Sequence, residues 1–273
     1  MSKKRLDSKS IEYRKEILKI IESARRGHIG SALSIVEILR VLYEDILKID
    51  PKNPKWDARD RFILSKGHGC LSLYVVLAEK GFFPKDKLAT FCEFDSILGG
   101  HPDAGKVPGV EASTGSLGHG LPIGAGIALS AKIDKKDFRT FVLMGDGECN
   151  EGSVWETALF AAKYKLSNLT AIIDYNKMQC FGNTCEVLEL EPFAEKWKSF
   201  GFEVHEVDGH DVLALRKELS AVPFKKNKPS MLICHTLKGK GIKKLESNAD
   251  WHHKAKVSDE EMRELYGDLE DQV

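Results

Sequence analysis

Apolar residues recur along the chain in two rhythms. Near-continuous apolar runs at Arg61 to Leu64, Arg139 to Met144, Thr170 to Asp174, Glu203 to Val207 and Ser230 to His235 predict strands. Helical spacing predicts helices at Lys9 to Ala24, Ser34 to Leu47, Cys70 to Lys80 and His119 to Ile133. The same spacing predicts four more, at Ser153 to Lys165, Pro192 to Phe200, Val212 to Ala221 and Ser258 to Tyr266. Strands that are apolar throughout, rather than alternating, are buried on both faces. Their separation by helices predicts a mainly parallel central sheet in a three-layer α/β/α fold, with the leading helices packed on it.

Three predicted helices carry Ser-x-x-Glu: Ser34 with Glu37, Ser153 with Glu156, and Ser258 with Glu261. A Ser hydroxyl and a Glu carboxylate at this spacing satisfy the free amides of a helix start reciprocally, so each is expected to be a capping box.

Composition narrows the function. The 273 residues are 42% hydrophobic, enough for a substantial core. Basic and acidic residues balance at 41 each, leaving no global field for a nucleic-acid backbone or an anionic membrane. No apolar run has the length of a membrane span, and Met1 to Ile11 lacks the apolar region of a secretory signal, so a cytoplasmic location is expected. The six cysteines form no C-x-x-C pair and read as reduced thiols. Lys3 to Arg5 and Lys225 to Lys228 read as solvated. Lys238 to Lys244, interspersed with Gly239 and Gly241, reads either as a phosphate-attracting loop or as a mobile solvated one.

The chemistry concentrates at Asp146 and Asn176. Gly145-Asp146-Gly147 ends one predicted strand and Asn176 ends the next, so both side chains are expected side by side at the carboxyl edge of the sheet, where α/β folds bind ligands. Gly-Asp-Gly alone marks an ordinary turn. The intervening residues, 148 to 175, make one helix and one strand, the length of a crossover to an adjacent strand. A carboxylate, an amide oxygen and a nearby main-chain carbonyl suit an octahedral Mg²⁺ site that also takes diphosphate oxygens. The glycines let backbone amides approach an anion, and the helix near Ser153 turns its positive end toward it. Four of the nine histidines, His28, His68, His101 and His119, adjoin glycine in predicted loops, which points to a shared polar site.

Gly145 to Asn176 resembles the thiamine-diphosphate motif, Gly-Asp-Gly followed about 25 to 30 residues later by Asn. Gly27-His28-Ile29-Gly30, Leu64-Ser65-Lys66-Gly67-His68, Gly100-His101-Pro102-Asp103 and Ser113 to Gly120 resemble the ordered motifs of transketolases. His235 to Gly241 and Trp251-His252-His253-Lys254 continue the series. The resemblance implies the thiamine diphosphate-binding fold, with residues 1–273 as one pyrophosphate-binding domain. It also implies that Asp146, Asn176 and the Met178 carbonyl bind Mg²⁺, for which Ca²⁺ or Mn²⁺ can substitute.

By the same resemblance, Gly145, Gly147, Glu148 and Asn176 form the diphosphate loops, joined by His68 and His252. Leu117 and Cys180 fall where the thiazolium ring packs, with Gly115 and Ser116 on the Leu117 loop. Glu151 matches a carboxylate linking two cofactor sites. His28, His68, His101 and His252 line the substrate channel, where imidazole suits both hydroxyl binding and proton movement. His205, His210 and His235 match no such position and read as structural. Ile29 replaces a usual proline, His119 a frequent glutamine, Tyr175 a common asparagine or aspartate, and His253 a glycine, which leaves His252 and His253 as alternatives for the cofactor-facing histidine.

Transketolases continue into a pyrimidine-binding domain, whose glutamate activates the cofactor, and a third domain. The resemblance therefore implies the amino-terminal subunit of a split transketolase, inactive alone and completed by a carboxy-terminal subunit, with an α₂β₂ assembly expected. Together they would move a two-carbon ketol unit from a ketose phosphate to an aldose phosphate, the cofactor stabilising the carbanion left by cleavage. Alternatives are a deoxyxylulose-phosphate synthase-like enzyme, a ketol transferase for an unusual or nucleotide-linked sugar, or a noncatalytic nucleotide-binding or regulatory module. A metallohydrolase using Asp146, Glu148, Glu151 and His252 is a further alternative.

Overall fold

A computed structural model describes residues 6–180 and 182–271. All five expected strands form: β1 (Arg61–Leu64), β2 (Thr140–Gly145), β3 (Leu169–Tyr175), β4 (Glu203–Asp208) and β5 (Ser230–His235). They make one parallel sheet in the order β1-β2-β3-β5-β4. Side chains alternate across it. Phe141, Leu143, Ile172, Leu232 and Cys234 enter one apolar cluster, and Val142, Met144, Ala171, Ile173, Met231 and Ile233 enter the other. Both faces are thus covered, as the continuous apolar runs require.

The first face carries α1 (Ser8–Ala24), α2 (Ile29–Leu33), α3 (Val36–Val41) and α4 (Cys70–Glu79). The second carries α5 (Gly120–Ile133) and α6 (Gly152–Lys163). A short α7 (Thr184–Val187) precedes α8 (Phe193–Ser199), which joins the second face through Trp197. Then α9 (Val212–Ser220) and α10 (Asp259–Glu270) return to the first. No helix among the described residues is long and apolar enough to cross a membrane.

Two of the three expected capping boxes are absent. Ser258 and Glu261 do form one, with bonds of 3.1 and 2.9 Å. The helix predicted from Ser34 instead starts at Val36 as α3 and continues into a π-helical turn over Leu42–Ile46, with α2 ending just before Ser34. Ser34 lies buried between α2 and α3 and donates to Asp174 at 2.7 Å, a stronger claim on a hydroxyl than a helix amide. Ser153 lies inside α6, which starts one residue earlier, and donates to the Gly118 carbonyl at 2.8 Å. A competing acceptor decides both cases, and the Ser-x-x-Glu spacing carries no information about that.

Arg14 and Glu37 form an ion pair inside the first layer, with their side chains 0% and 1% exposed. The guanidinium donates to both Glu37 oxygens at 2.6 and 3.1 Å and to the carbonyls of Ser10, Leu33 and Lys240. His210 donates through Nδ1 to Glu37 at 2.9 Å and accepts the Leu237 amide at Nε2, also at 2.9 Å. Residues 237 and 240 are thereby pinned through one carboxylate, so the Lys238 loop is braced and not a mobile solvated segment.

Glu37→Gln should lower the unfolding free energy by about 3–5 kcal/mol at pH 7, because Arg14 stays buried without its counter-charge. Burial alone would raise the Glu37 carboxyl, but Arg14 and His210 outweigh it and hold the carboxyl well below its ordinary value. That stabilisation is complete above the unfolded carboxylate range and is lost as pH falls through it toward the depressed folded value. Urea unfolding should show the gap between wild type and Glu37→Gln narrowing from about pH 7 to about pH 3.5. A constant gap would contradict the assignment.

Candidate active site

Because all five strands are parallel, the residues following β1, β2, β3 and β5 emerge at one edge of the sheet. Gly145 pairs in register with Asp174, so Asp146 and Asn176 leave adjacent strands one and two residues further on. One Asp146 oxygen accepts the Gly147 amide at 2.7 Å and the other accepts the Lys177 amide. Asn176 accepts the Met178 amide at 3.0 Å and donates to Asp174 at 2.9 Å. A Cβ at Gly147 would come within 2.7 Å of Gln179, whose amide is tied to Asn150, so this turn admits only glycine without displacing its neighbour.

Beneath the pair lies Asp174, fully buried at the end of β3. Its carboxylate accepts from Lys66, Thr236, Ser34 and Asn176, which arrive from beyond β1, beyond β5, between α2 and α3, and beyond β3. Burial would raise this carboxyl, but the Lys66 charge and the donated hydrogen bonds outweigh it and keep it ionised. Glu148 is equally enclosed. It accepts from Ser65 and from the amides of Gly118 and Gly145, so its carboxylate knits three site loops together instead of facing open space.

The histidines form a cluster around His28. Its ring centroid lies 5.6 Å from His68, 5.9 Å from His101, 5.7 Å from His252 and 4.7 Å from His253. His68 and His252 are 5.6 Å apart. An antiparallel bridge between Gly27 and Lys254 brings the two ends of the chain together here, which places both His252 and His253 in the cluster. Burial is the first cause that pushes His28 down to about 4, followed by His253 and His101. Burial, then Lys238 and His28, push His252 to about 3. Burial, followed by Lys66, also lowers His68 strongly. These imidazoles are neutral at pH 7.

Lys238 is buried, with its Nζ 2.7 Å from His252 Nδ1. Burial and the charge of Lys66 lower it to about 8, so it is still mostly an ammonium at pH 7. Donation to Nδ1 leaves the His252 proton on Nε2 and fixes the tautomer. Lys66 and Asp174 are the site residues that sequence reasoning missed as functional, and Lys238, read there as part of a phosphate-attracting or mobile loop, is instead the partner of His252. A charged residue closing an otherwise apolar strand was the available signal for Asp174.

Other expected residues lie outside this cluster. His119 is exposed, and its Nδ1 lies 3.3 Å from Ser116 Oγ and 3.0 Å from the Leu117 carbonyl, so its ring folds onto its own loop. Gly115 abuts the His101 ring, 3.2 Å from a notional Cβ at φ +146°. Leu117 is half-buried on that loop, and Cys180 is exposed beyond Met178. Glu151 is exposed at the N-cap of α6. Of the residues named for a metallohydrolase, Glu148 is enclosed by donors and His252 is held by Lys238. Among the described residues no group of three or more His, Cys, Asp or Glu is arranged to hold a metal.

The residues present fit a metal-bound diphosphate. Burial, then the charge of Asp174, push the Asp146 carboxyl up to about 7, and its oxygens are met by backbone amides instead of a basic side chain. Such a group lacks a counter-charge, which a divalent cation supplies. Asn176 adds a neutral oxygen beside it.

These features define an α/β/α domain whose strand ends set an acidic oxygen site beside a cluster of histidines. Residues 7–269 match the family described as transketolase, thiamine diphosphate binding domain. The chain belongs to the transketolase family. It is 46% identical over 248 residues to one of the subunits of the apulose-4-phosphate transketolase of Phocaeicola vulgatus, covering 91% of this chain and 88% of that one. It is 40% identical over 257 residues to the 6-deoxy-6-sulfo-D-fructose transketolase subunit SqwG of a Clostridium species, covering 94% and 93%. Among solved structures, Pichia stipitis transketolase with sedoheptulose 7-phosphate superposes with a TM-score of 0.89 at 30% identity. That match covers 96% of this chain and 40% of the Pichia chain.

Asp174→Asn should cost about 3–5 kcal/mol of stability, because Lys66 is left buried and unpaired. Adding Lys66→Met should recover a large part of the loss. Chemical denaturation of the two single variants and the double variant measures the coupling, and strictly additive losses would refute the pairing.

Proposed function

We propose that this chain is the thiamine diphosphate-binding, amino-terminal subunit of a two-subunit transketolase. The observation that carries this reading is the meeting, at one sheet edge, of the Asp146–Asn176 oxygen site with the five-histidine cluster. Asp146, Asn176 and the Met178 carbonyl would hold Mg²⁺. Gly145, Gly147, Asn176, His68 and His252 would hold the diphosphate, and Leu117, Gly115, Ser116 and Cys180 would border the thiazolium. The bound cofactor supplies an electron sink for breaking a carbon–carbon bond beside a carbonyl.

The chain's own residues bind and orient. With pKa values well below neutrality, His28 and His252 are weak bases and serve chiefly to hydrogen-bond sugar hydroxyls. The Lys238 ammonium fixes His252 with its Nε2 proton available to donate.

A complementary subunit would carry the pyrimidine-binding domain, and exposed Glu151 would face a second copy in an α₂β₂ assembly. Names of the relatives, one for apulose 4-phosphate and one for a sulfonated fructose, support an anionic ketose as a substrate. All six cysteines are free thiols, which supports a reducing, cytoplasmic setting.

Two measurements test this. In calorimetry of the assembled pair with thiamine diphosphate and Mg²⁺, Asp146→Ala should weaken binding by about 100-fold or more, and unchanged affinity would defeat the ligand assignment. Turnover of xylulose 5-phosphate with ribose 5-phosphate should require both subunits. Preference for apulose 4-phosphate or a sulfonated ketose would assign the donor to that sugar, and activity of this chain alone would overturn the split-enzyme reading.

A further inference from the structure

A cavity of about 190 Å³ opens beside the histidine cluster, with Arg26, His28, Cys92, His101 and His253 in its lining. A space of this size holds one end of a sugar phosphate and not the whole molecule. No carboxylate is among the described residues lining it. Arg26 is exposed and lies against Cys92, donating to its carbonyl at 3.5 Å, the outer limit of a hydrogen bond. Neighbouring arginines are committed elsewhere: Arg25 pairs with Asp259 at 2.7 Å, and Arg14 is held by Glu37.

Charge around the cavity is one-sided. His28 and His101 are both shifted down, first by burial, so these two contribute donors without charge. Arg26 supplies the cation. Its planar fork of N–H groups matches a tetrahedral oxyanion and binds it with two parallel hydrogen bonds, which a neutral hydroxyl does not reproduce.

His28 relates the cavity to the cofactor side. It neighbours His68 and His252, next to the loops assigned to the diphosphate, and also His101 and His253, which line the cavity. A sugar with its reacting carbons over the first pair extends its far end past the second pair toward Arg26. We propose that Arg26 recognises the anionic terminus of the sugar, a phosphate or sulfonate, and makes this chain a determinant of sugar choice alongside its partner. The inference rests on the ketol-transfer reading and deepens it.

The test uses the assembled two-subunit enzyme carrying Arg26→Met or Arg26→Lys. Donor and acceptor are varied separately, each as the phosphorylated sugar and as its unphosphorylated counterpart. Arg26→Met should raise KM about 10-fold or more for the phosphorylated sugar that docks here, while kcat and the KM of the unphosphorylated sugar stay within about twofold. Arg26→Lys should retain part of the preference. The substrate whose KM moves identifies whether donor or acceptor supplies the oxyanion. Equal changes for both forms of each sugar, or no change in any, would overturn the proposal. If the wild-type pair turns over no sugar, the ketol-transfer reading fails separately, and calorimetry with ribose 5-phosphate against ribose still decides. A preference for the phosphate that Arg26→Met abolishes supports the proposal; a preference that survives the substitution, or none in wild type, defeats it.

Discussion

The carboxylate of Asp174 is the constraint around which the site is built. Removing an ionised group from water costs several kcal/mol, and the interior repays that only when a counter-ion and hydrogen bonds satisfy it. Lys66 provides the charge, and Ser34, Thr236 and Asn176 provide donors. These partners belong to segments scattered through the chain, so neutralising one acid obliges four loops to meet at one point. Asn176 is oriented by that obligation, and the turn bearing Asp146 lies directly beside it.

The same charges set the character of the histidines. Lys66 and Lys238 add positive potential to a region already poor in water, and both effects disfavour imidazolium. His28, His68 and His252 therefore offer neutral donor–acceptor groups, and Lys238 fixes the orientation of His252. Lys238 is itself held in place from below. The loop that bears it is tied at Leu237 by His210 and at Lys240 by Arg14, and both reach Glu37. Charge placed in the helical layer thus positions a charge at the sheet edge.

Much of this was legible in the sequence because it depends on local pattern. Continuous apolar runs specify doubly covered parallel strands, and strand ends fix where Asp146 and Asn176 emerge, so the oxygen site follows from spacing alone. The grouping of His28, His68, His101 and His252 was legible through their ordered motifs, and His253 joins them in the structure. Pairings across long separations were not legible. Lys66 and Asp174 are 108 residues apart, and nothing near either one announces the other. Ser34 and Ser153 have the spacing of caps, yet acceptors from distant segments, Asp174 and Gly118, take their hydroxyls. His119 shares the glycine-rich setting of the clustered histidines, but its position at the start of α5 turns its ring onto Ser116 and Leu117.

The bridge between Gly27 and Lys254 bears on the order in which the molecule assembles. Its reciprocal backbone bonds of 2.9 and 3.1 Å join the first helical segment to one that follows the entire sheet. Contacts this distant in sequence incur the largest loop-closure entropy and form late. A nascent chain that has completed β5 already possesses Asp146, Asn176 and the Lys66–Asp174 pair, but not His252 or His253. The Asp146–Asn176 half of the site can therefore mature while the ribosome still holds the segment bearing His252 and His253, and synthesis of that segment is what closes the histidine ring.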